Sequence, residues 1–307
     1  MTSLLTNASA ITALQNLNAT NRAMQTTQDR ISTGMRVSTA ADNAAYWSIA
    51  TTMRSDNAAL STVKDALGMG AATVDVASAA LKTTSDLVTQ IKSKLVAARQ
   101  PGIDRAKVQA EITQLQDQIQ SVADSSTFSG QNWLAVDSSA TGYNGTKAIV
   151  GSFTRSGTSV AIGTIDVDVS KVALFDKGAS GEGIIDKART SGSTSNVKVS
   201  DLDISSLTDS SADQTTLTNY INIVDAAMTD ITTAASDLGA VKTRIGMQSE
   251  FVSNLMDAVT KGVGQLVDAD MNAESTRLQA LQVQQQLGVQ SLSIANQSSQ
   301  QILSLFR

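Results

Sequence analysis

The feature that most constrains this chain is a stepped apolar ladder from Ile49 to Ala98. Alternate steps of four and three residues fall on Ile49, Met53, Asp56, Leu60, Val63, Leu67, Gly70, Val74, Ala77, Leu81, Thr84, Val88, Ile91, Leu95 and Ala98. Only Asp56, Gly70 and Thr84 interrupt the apolar series. A heptad-like repeat held this long asks for a helix in a left-handed supercoil, not a helix lying on a globular core. Such a helix runs roughly 75 Å at about 1.5 Å per residue. It requires partners of similar length.

A second ladder supplies one. Leu217, Ile221, Val224, Met228, Ile231, Ala235, Leu238, Lys242, Ile245, Ser249, Val252, Met256, Val259, Val263 and Leu266 follow the same step. Gly262 and Gly264 flank a candidate joint near its end. A shorter ladder, Val108, Ile112, Leu115, Ile119 and Val122, follows the breaker Arg99-Gln100-Pro101-Gly102. Asp104 is placed to cap it, and Lys107 and Glu111 are spaced as an i,i+4 pair. Two ladders joined by a tight turn predict an antiparallel hairpin. The seam is expected to run through Ile49, Leu60, Leu67, Leu81, Leu95, Ile112, Leu115, Ile231, Leu238 and Ile245.

Both chain ends carry weaker versions of this pattern. Near the start, Leu14, Leu17, Asn21, Met24, Gln28, Ile31 and Met35 step by three and four, and Asn18-Ala19-Thr20-Asn21 favours fraying. Gly34 is a helix stop, residues 34–45 read as a connector, and Asp42 or Asn43 is placed to cap the long ladder. The last stretch steps through Leu278, Leu281, Gln285, Gly288, Leu292, Ala295, Ser299, Ile302 and Phe306. Seams this polar return less on burial than ordering their backbones costs. Both ends are therefore expected to be loose in a lone molecule and to order when copies pack around them. The assembly residues predicted on this basis are Leu14, Leu17, Met24, Ile31, Leu281, Leu292, Ile302 and Phe306.

From Ser125 to about Ser211 the chain turns rich in Gly, Ser and Thr. Tyr143-Asn144-Gly145-Thr146 reads as a hairpin turn, and Ala148–Val150, Ser159–Ile162 and Ile165–Val169 as strands. Asp166 and Asp168 alternate with apolar neighbours and read as a solvated strand face rather than a cation site. The layout is a palindrome: weak helix, ladder, β insert, ladder, weak helix. It predicts a mainly α, antiparallel coiled-coil rod formed by both chain ends, with a small β-rich insert at the distal end. The expected divisions are 1–41 and 265–307 for the inner terminal helices, 42–135 and 213–264 for the helical rod, and 136–212 for the outer insert.

Composition narrows function. There is no cysteine and no histidine, so thiolate chemistry, disulfides and most zinc sites are excluded, and the commonest general base is missing. No nucleophile–base pair, metal site or cofactor site is found. Charged residues make up 17% at a net charge of −5, without the basic cluster that nucleic acid requires. No apolar run approaches the about 18 residues of a transmembrane helix. The start, Met1-Thr2-Ser3-Leu4-Leu5-Thr6-Asn7, lacks the charged and apolar regions of a cleaved secretory signal.

Several segments resemble bacterial flagellin, the subunit of the flagellar filament. They are Leu17-Asn18-Ala19-Thr20-Asn21, Arg30-Ile31-Ser32-Thr33-Gly34-Met35-Arg36, Ala40-Ala41-Asp42-Asn43-Ala44-Ala45, Gln109-Ala110-Glu111-Ile112, Phe128-Ser129-Gly130 and Leu303-Ser304-Leu305-Phe306-Arg307. The resemblance covers roughly residues 1–135 and 213–307 and not the insert. It implies a non-enzymatic, secreted protein that forms a homopolymer, alone or with sister flagellins. The paired ends would build the inner tube of the filament, the paired ladders the next shell, and the insert the outside. Arg36, Asp42 and Asn43 would serve the connector, Asp42 with an inter-subunit role. Export by the flagellar type III apparatus, and encounters with an export chaperone, the cap and the hook-junction proteins, are implied as well.

Two departures stand out. Tyr46 and Trp47 occupy a position where most flagellins have glycine, which resembles the alphaproteobacterial branch. Ile91 and Ser93 stand where enterobacterial relatives have arginines read by the innate Toll-like flagellin receptor, and Lys94 where they have glutamate; Glu111 remains. Weak or no recognition is expected. The second reading is a hook–filament junction protein, which shares the helical ends but usually has a Pro-flanked acidic pair at Ala41-Asp42-Asn43-Ala44. A chemoreceptor-like coiled coil would require a membrane anchor.

Overall fold

The structure, a computed structural model, describes residues 7–157, 159–178 and 182–304, with side chains as far as Gln297. The described residues form five α-helices: α1 Ala8–Thr33, α2 Ala44–Ala97, α3 Arg105–Ser125, α4 Ser211–Val267 and α5 Met271–Ser304. The chain divides into two compact units. One comprises Met1–Ala58 with Met256–Arg307, the other Ala59–Leu255.

In the second unit α2 and α4 run antiparallel. Three polar ties hold their register: Lys64 Nζ donates to Ser253 Oγ at 3.2 Å, and the ion pairs Asp75–Lys242 and Lys92–Asp225 each close at 2.5 Å. These ties flank the apolar seam and are exposed, so they select register more than they add stability. Leu60, Leu67, Leu81 and Leu95 on α2, and Ile231, Leu238 and Ile245 on α4, are all buried. Ile49, which lies in the first unit, departs from the predicted seam. It is 49% exposed, while Ala50 beside it is buried with Val37, Val263 and Val267. One residue is about 100° of helix rotation, so the seam here has shifted by one position.

Gly70 and Thr84, the two uncharged breaks in the ladder, have different meanings. A side chain on Gly70 would collide with Ile149, because the insert lies directly on α2 there. Thr84 is fully buried, and its hydroxyl has no hydrogen-bond partner among the described residues. Thr84→Val keeps the shape and removes the unmet polar group. It is expected to stabilise this unit by about 1 kcal/mol, seen as a higher urea midpoint with unchanged slope.

After the breaker, α3 folds back on α2. Asp104 caps it by accepting from the Lys107 amide, and the buried Arg105 donates through Nε to Ala98 O and through Nη2 to Asp209. Ile112 and Ile119 are fully buried, and Leu115 is half-buried. The expected Lys107–Glu111 pair does not form. Lys107 turns to Asp104 at 3.5 Å, and Glu111 reaches Lys94 on α2 at 2.5 Å, a cross-helix partner that packing alone supplies. Likewise α4 runs unbroken through Gly262 and Gly264 and stops at Val267, so no joint exists there.

The insert follows α3. Strands β1 Thr127–Phe128 and β2 Gln131–Asn132 form a hairpin whose turn residues Ser129 and Gly130 both have positive φ, 51° and 77°. That is the pattern whose twist matches a two-residue hairpin. Strand β3, Ala135–Val136, pairs in parallel with β6, Phe175–Asp176. Strands β4, Thr146–Ser156, and β5, Ser159–Asp168, form the long antiparallel hairpin. All three predicted strand segments fall within it, apart from the last residue Val169, which follows the end of β5 and begins a 3-10 turn. Tyr143–Thr146 is not its turn: the segment leads into β4, and β4 and β5 turn over at Gly157. Ile149, Ile165 and Val167 point inward, while Asp166 and Asp168 face out. Strands β7, Arg189–Ser191, and β8, Thr194–Val197, complete it. Arg189 ties the insert to α4 through Asp230 at 2.6 Å, and Gln109 and Gln116 of α3 donate to Leu202 O and Val199 O.

Candidate assembly site

The first unit holds the residues predicted to serve assembly. Asn7 caps α1 by accepting from Ala10 N, and Gly34 ends it at φ 70°, a left-handed conformation suited to glycine. Asp270 caps α5 by accepting from the amides of Asn272 and Ala273. The two helices lie antiparallel. Asn7 Nδ2 donates to Ala295 O at 2.9 Å, Gln285 Nε2 to Asn21 Oδ1 at 2.9 Å, and Arg30 pairs with Glu274 at 3.0 Å. Leu17 lies against Gly288, where a larger side chain would crowd it.

Asn21 and Gln285, polar positions in the two seams, thus meet across the pair. Asn21 and Gln285 were visible as breaks in two separate patterns; their mutual contact was not. Arg30 and Glu274 were missed as a pair for the same reason. Glu274 is 8% exposed and its Oε2 has no partner among the described residues.

Leu281 is buried, and Leu17, Met24, Ile31 and Leu292 are half-buried. Leu14 is largely exposed, as are Ile11 on α1 and Val283, Leu287, Val289 and Ile294 on α5. The pair covers one side of each helix and leaves a second apolar set in solvent. The side chain of Ile302 and the whole of Phe306 lie outside the described residues.

The connector clasps the α4–α5 turn. The amides of Arg36 and Val37 both donate to Val267 O, Ala269 N donates to Gly34 O, and Met35 and Asp268 form an antiparallel bridge. The Arg36 guanidinium adds a bond to Leu266 O at 3.1 Å. Asn43, not Asp42, caps α2, accepting from the amides of Ala45 and Tyr46. Asp42 instead draws four bonds onto one oxygen, from the amides and hydroxyls of Thr39 and Ser38.

These bonds, the Thr39 amide foremost, hold the Asp42 carboxyl below its ordinary range. A lowered folded value means the loop gains stability above the unfolded value, near pH 4, and loses it as pH falls through the folded one. The Thr39 amide is therefore expected to exchange faster at about pH 2.5 than its intrinsic rate predicts from neutral pH. Asp42→Asn should remove that excess, read by hydrogen exchange.

The receptor-equivalent residues lie in the second unit. Ile91 is fully buried, Ser93 is exposed, and Lys94 is held in the ion pair with Glu111.

Long paired helices, capped ends and an uncovered apolar face on the terminal pair define a helical structural subunit. Among the described residues no helix is long and apolar enough to cross a membrane. The description "bacterial flagellin N-terminal helical region" matches residues 4–139, and "bacterial flagellin C-terminal helical region" matches residues 221–306. Flagellin C of Rhizobium meliloti (strain 1021) is 51% identical over 322 aligned positions covering all of both chains. Flagellin A of Rhizobium meliloti is 42% identical over 397 positions, and a flagellin of Brucella melitensis 44% over 308, again with both chains fully covered. The chain belongs to the bacterial flagellin family. It is a self-polymerising structural subunit of the extracellular flagellar filament, not an enzyme, and the junction-protein reading finds no support in these matches.

Proposed function

We propose that this chain builds the filament by burying the second apolar face of α1 and α5 against neighbouring copies. The observation that carries this reading is the exposure of Leu14, Leu287 and Ile294, at 48%, 56% and 66%, on helices already paired along another side. Large aliphatic side chains repeated along one helix pair and left in water mark an association surface. In this reading residues 1–41 and 265–307 form the inner terminal domain and complete their ordering on assembly. Residues 42–135 and 213–264 form the helical shell, and 136–212 the outer insert. Ile302 and Phe306, on the four–three step of the sequence, are given the same assembly role.

The connector clasp supports a role for Arg36, Asp42 and Asn43 in fixing where the inner helices leave the shell. An export chaperone would cover the inner helices before secretion, and the cap and hook-junction proteins would meet them at the filament ends. Sister flagellins with the same helical ends would co-assemble. Recognition by the Toll-like flagellin receptor is weak in this reading, because Ile91 is buried and Lys94 is neutralised by Glu111. Strong reporter-cell activation by dilute purified monomer would contradict that.

The test of assembly is seeded growth followed by pelleting and negative-stain microscopy. Long filaments are expected from the full chain. Rings or short caps would restore the junction-protein reading. Growth that fails when residues 140–205 are replaced would place an essential interface in the insert, against the outer role given to it here.

A further inference from the structure

The second unit carries two uncovered features that its own chain does not bring together. The first is a groove of about 300 Å³ between α2 and the base of the insert. Met69, Gly70, Phe128, Trp133 and Ile149 line it, and Met69 is 55% exposed. Gly70 sets its depth, because any side chain there would meet Ile149. Lys147 also lines it and has no ion-pair partner among the described residues.

The second feature is a ridge on α4. Met247 and Phe251, one turn apart, are 60% and 59% exposed. Glu250 is exposed beside them, also without an ion-pair partner among the described residues. An aromatic and a methionine flanked by charge are the composition of an interface centre with its rim.

A polymer that grows without closing needs a heterologous contact, in which two different patches of one chain meet on successive copies. The ridge and the groove have opposite shapes and opposite unpaired charges. We propose that the Met247–Phe251 ridge of one copy seats in the Met69–Ile149 groove of a neighbour, with Glu250 closing on Lys147. This contact rests on the assembly reading above but involves residues of the other unit.

The chain has no cysteine of its own, which makes the test clean. Lys147→Cys and Glu250→Cys chains are co-assembled on wild-type seeds, oxidised, and run on a non-reducing gel. Covalent dimers are expected from the mixture and from neither variant alone; filaments that form without dimers would overturn the contact. In parallel, Lys147→Glu and Glu250→Lys should each elongate at least about fivefold more slowly than wild type through like-charge apposition. The double exchange should restore growth. Single variants that elongate at the wild-type rate, or a double variant no better than either single one, would also overturn it. Failure of the wild-type chain to elongate would count against the assembly reading itself, so the two failures are distinguishable.

Discussion

A chain ending at Asp268 is expected to add nothing to filament seeds, while residues 59–255 keep their helical circular dichroism and cooperative unfolding. The truncation removes α5 and with it the polar partners described for α1 and its cap: Ala295 for Asn7, Gln285 for Asn21 and Glu274 for Arg30. Most of the stability of a helix in a protein comes from tertiary packing of its apolar face, and α1 loses the helix it packs on. Both halves of the proposed inner surface are therefore lost together. The core of the second unit is untouched, because none of its buried residues lies beyond Asp268.

A milder companion separates surface loss from unfolding. Leu14→Asp or Ile294→Asp alters side chains that are 48% and 66% exposed. Monomer stability should change by less than about 0.5 kcal/mol, yet pelleted polymer should fall to near background, because a buried unpaired charge is costly at the interface. If either variant polymerises at the wild-type rate, the exposed face is not an assembly surface.

The second large effect concerns the α2–α4 pair. Leu238→Ala is expected to destabilise the second unit by about 3 kcal/mol, within the 2–5 kcal/mol typical of buried Leu→Ala changes. Leu238 is fully buried on the α4 seam. Long helices facing each other cannot close around a missing side chain without disturbing the ties at Lys92–Asp225 and Asp75–Lys242 on either side. The cavity should persist, which keeps the penalty above the bottom of that range. Urea unfolding checks it: a drop in midpoint below about 1 kcal/mol equivalent would mean the seam relaxes freely.

Much of the fold was legible in the chain. The four–three step located α2, α3 and α4 because their length makes a chance repeat implausible and because one buried stripe is all a paired helix needs. Gly34, Pro101-Gly102 and Asp104 set boundaries through backbone preferences that act locally. The alternation at Ile165, Asp166, Val167 and Asp168 gave the inward face of β5 for the same reason.

Other features depended on neighbours distant in sequence. Asp42 and Asn43 were equivalent as caps until the loop placed Ser38 and Thr39 around Asp42 and left Asn43 facing the first amides of α2. Tyr143–Thr146 has turn chemistry, but the β4–β5 register moved the hairpin turn to Gly157. Gly70 looked like a flaw in a helix and is the place where a strand approaches it.

By itself, then, the sequence determined that this protein is built from long paired helices with weaker helical ends and a β-rich insert. Periodicity, caps and breakers are local properties, written every few residues. Only the tertiary structure decided which polar residue meets which: Glu111 with Lys94 rather than Lys107, Asn21 with Gln285, Arg36 with the end of α4. Those choices depend on register between helices, and register is set by all the side chains of a seam at once.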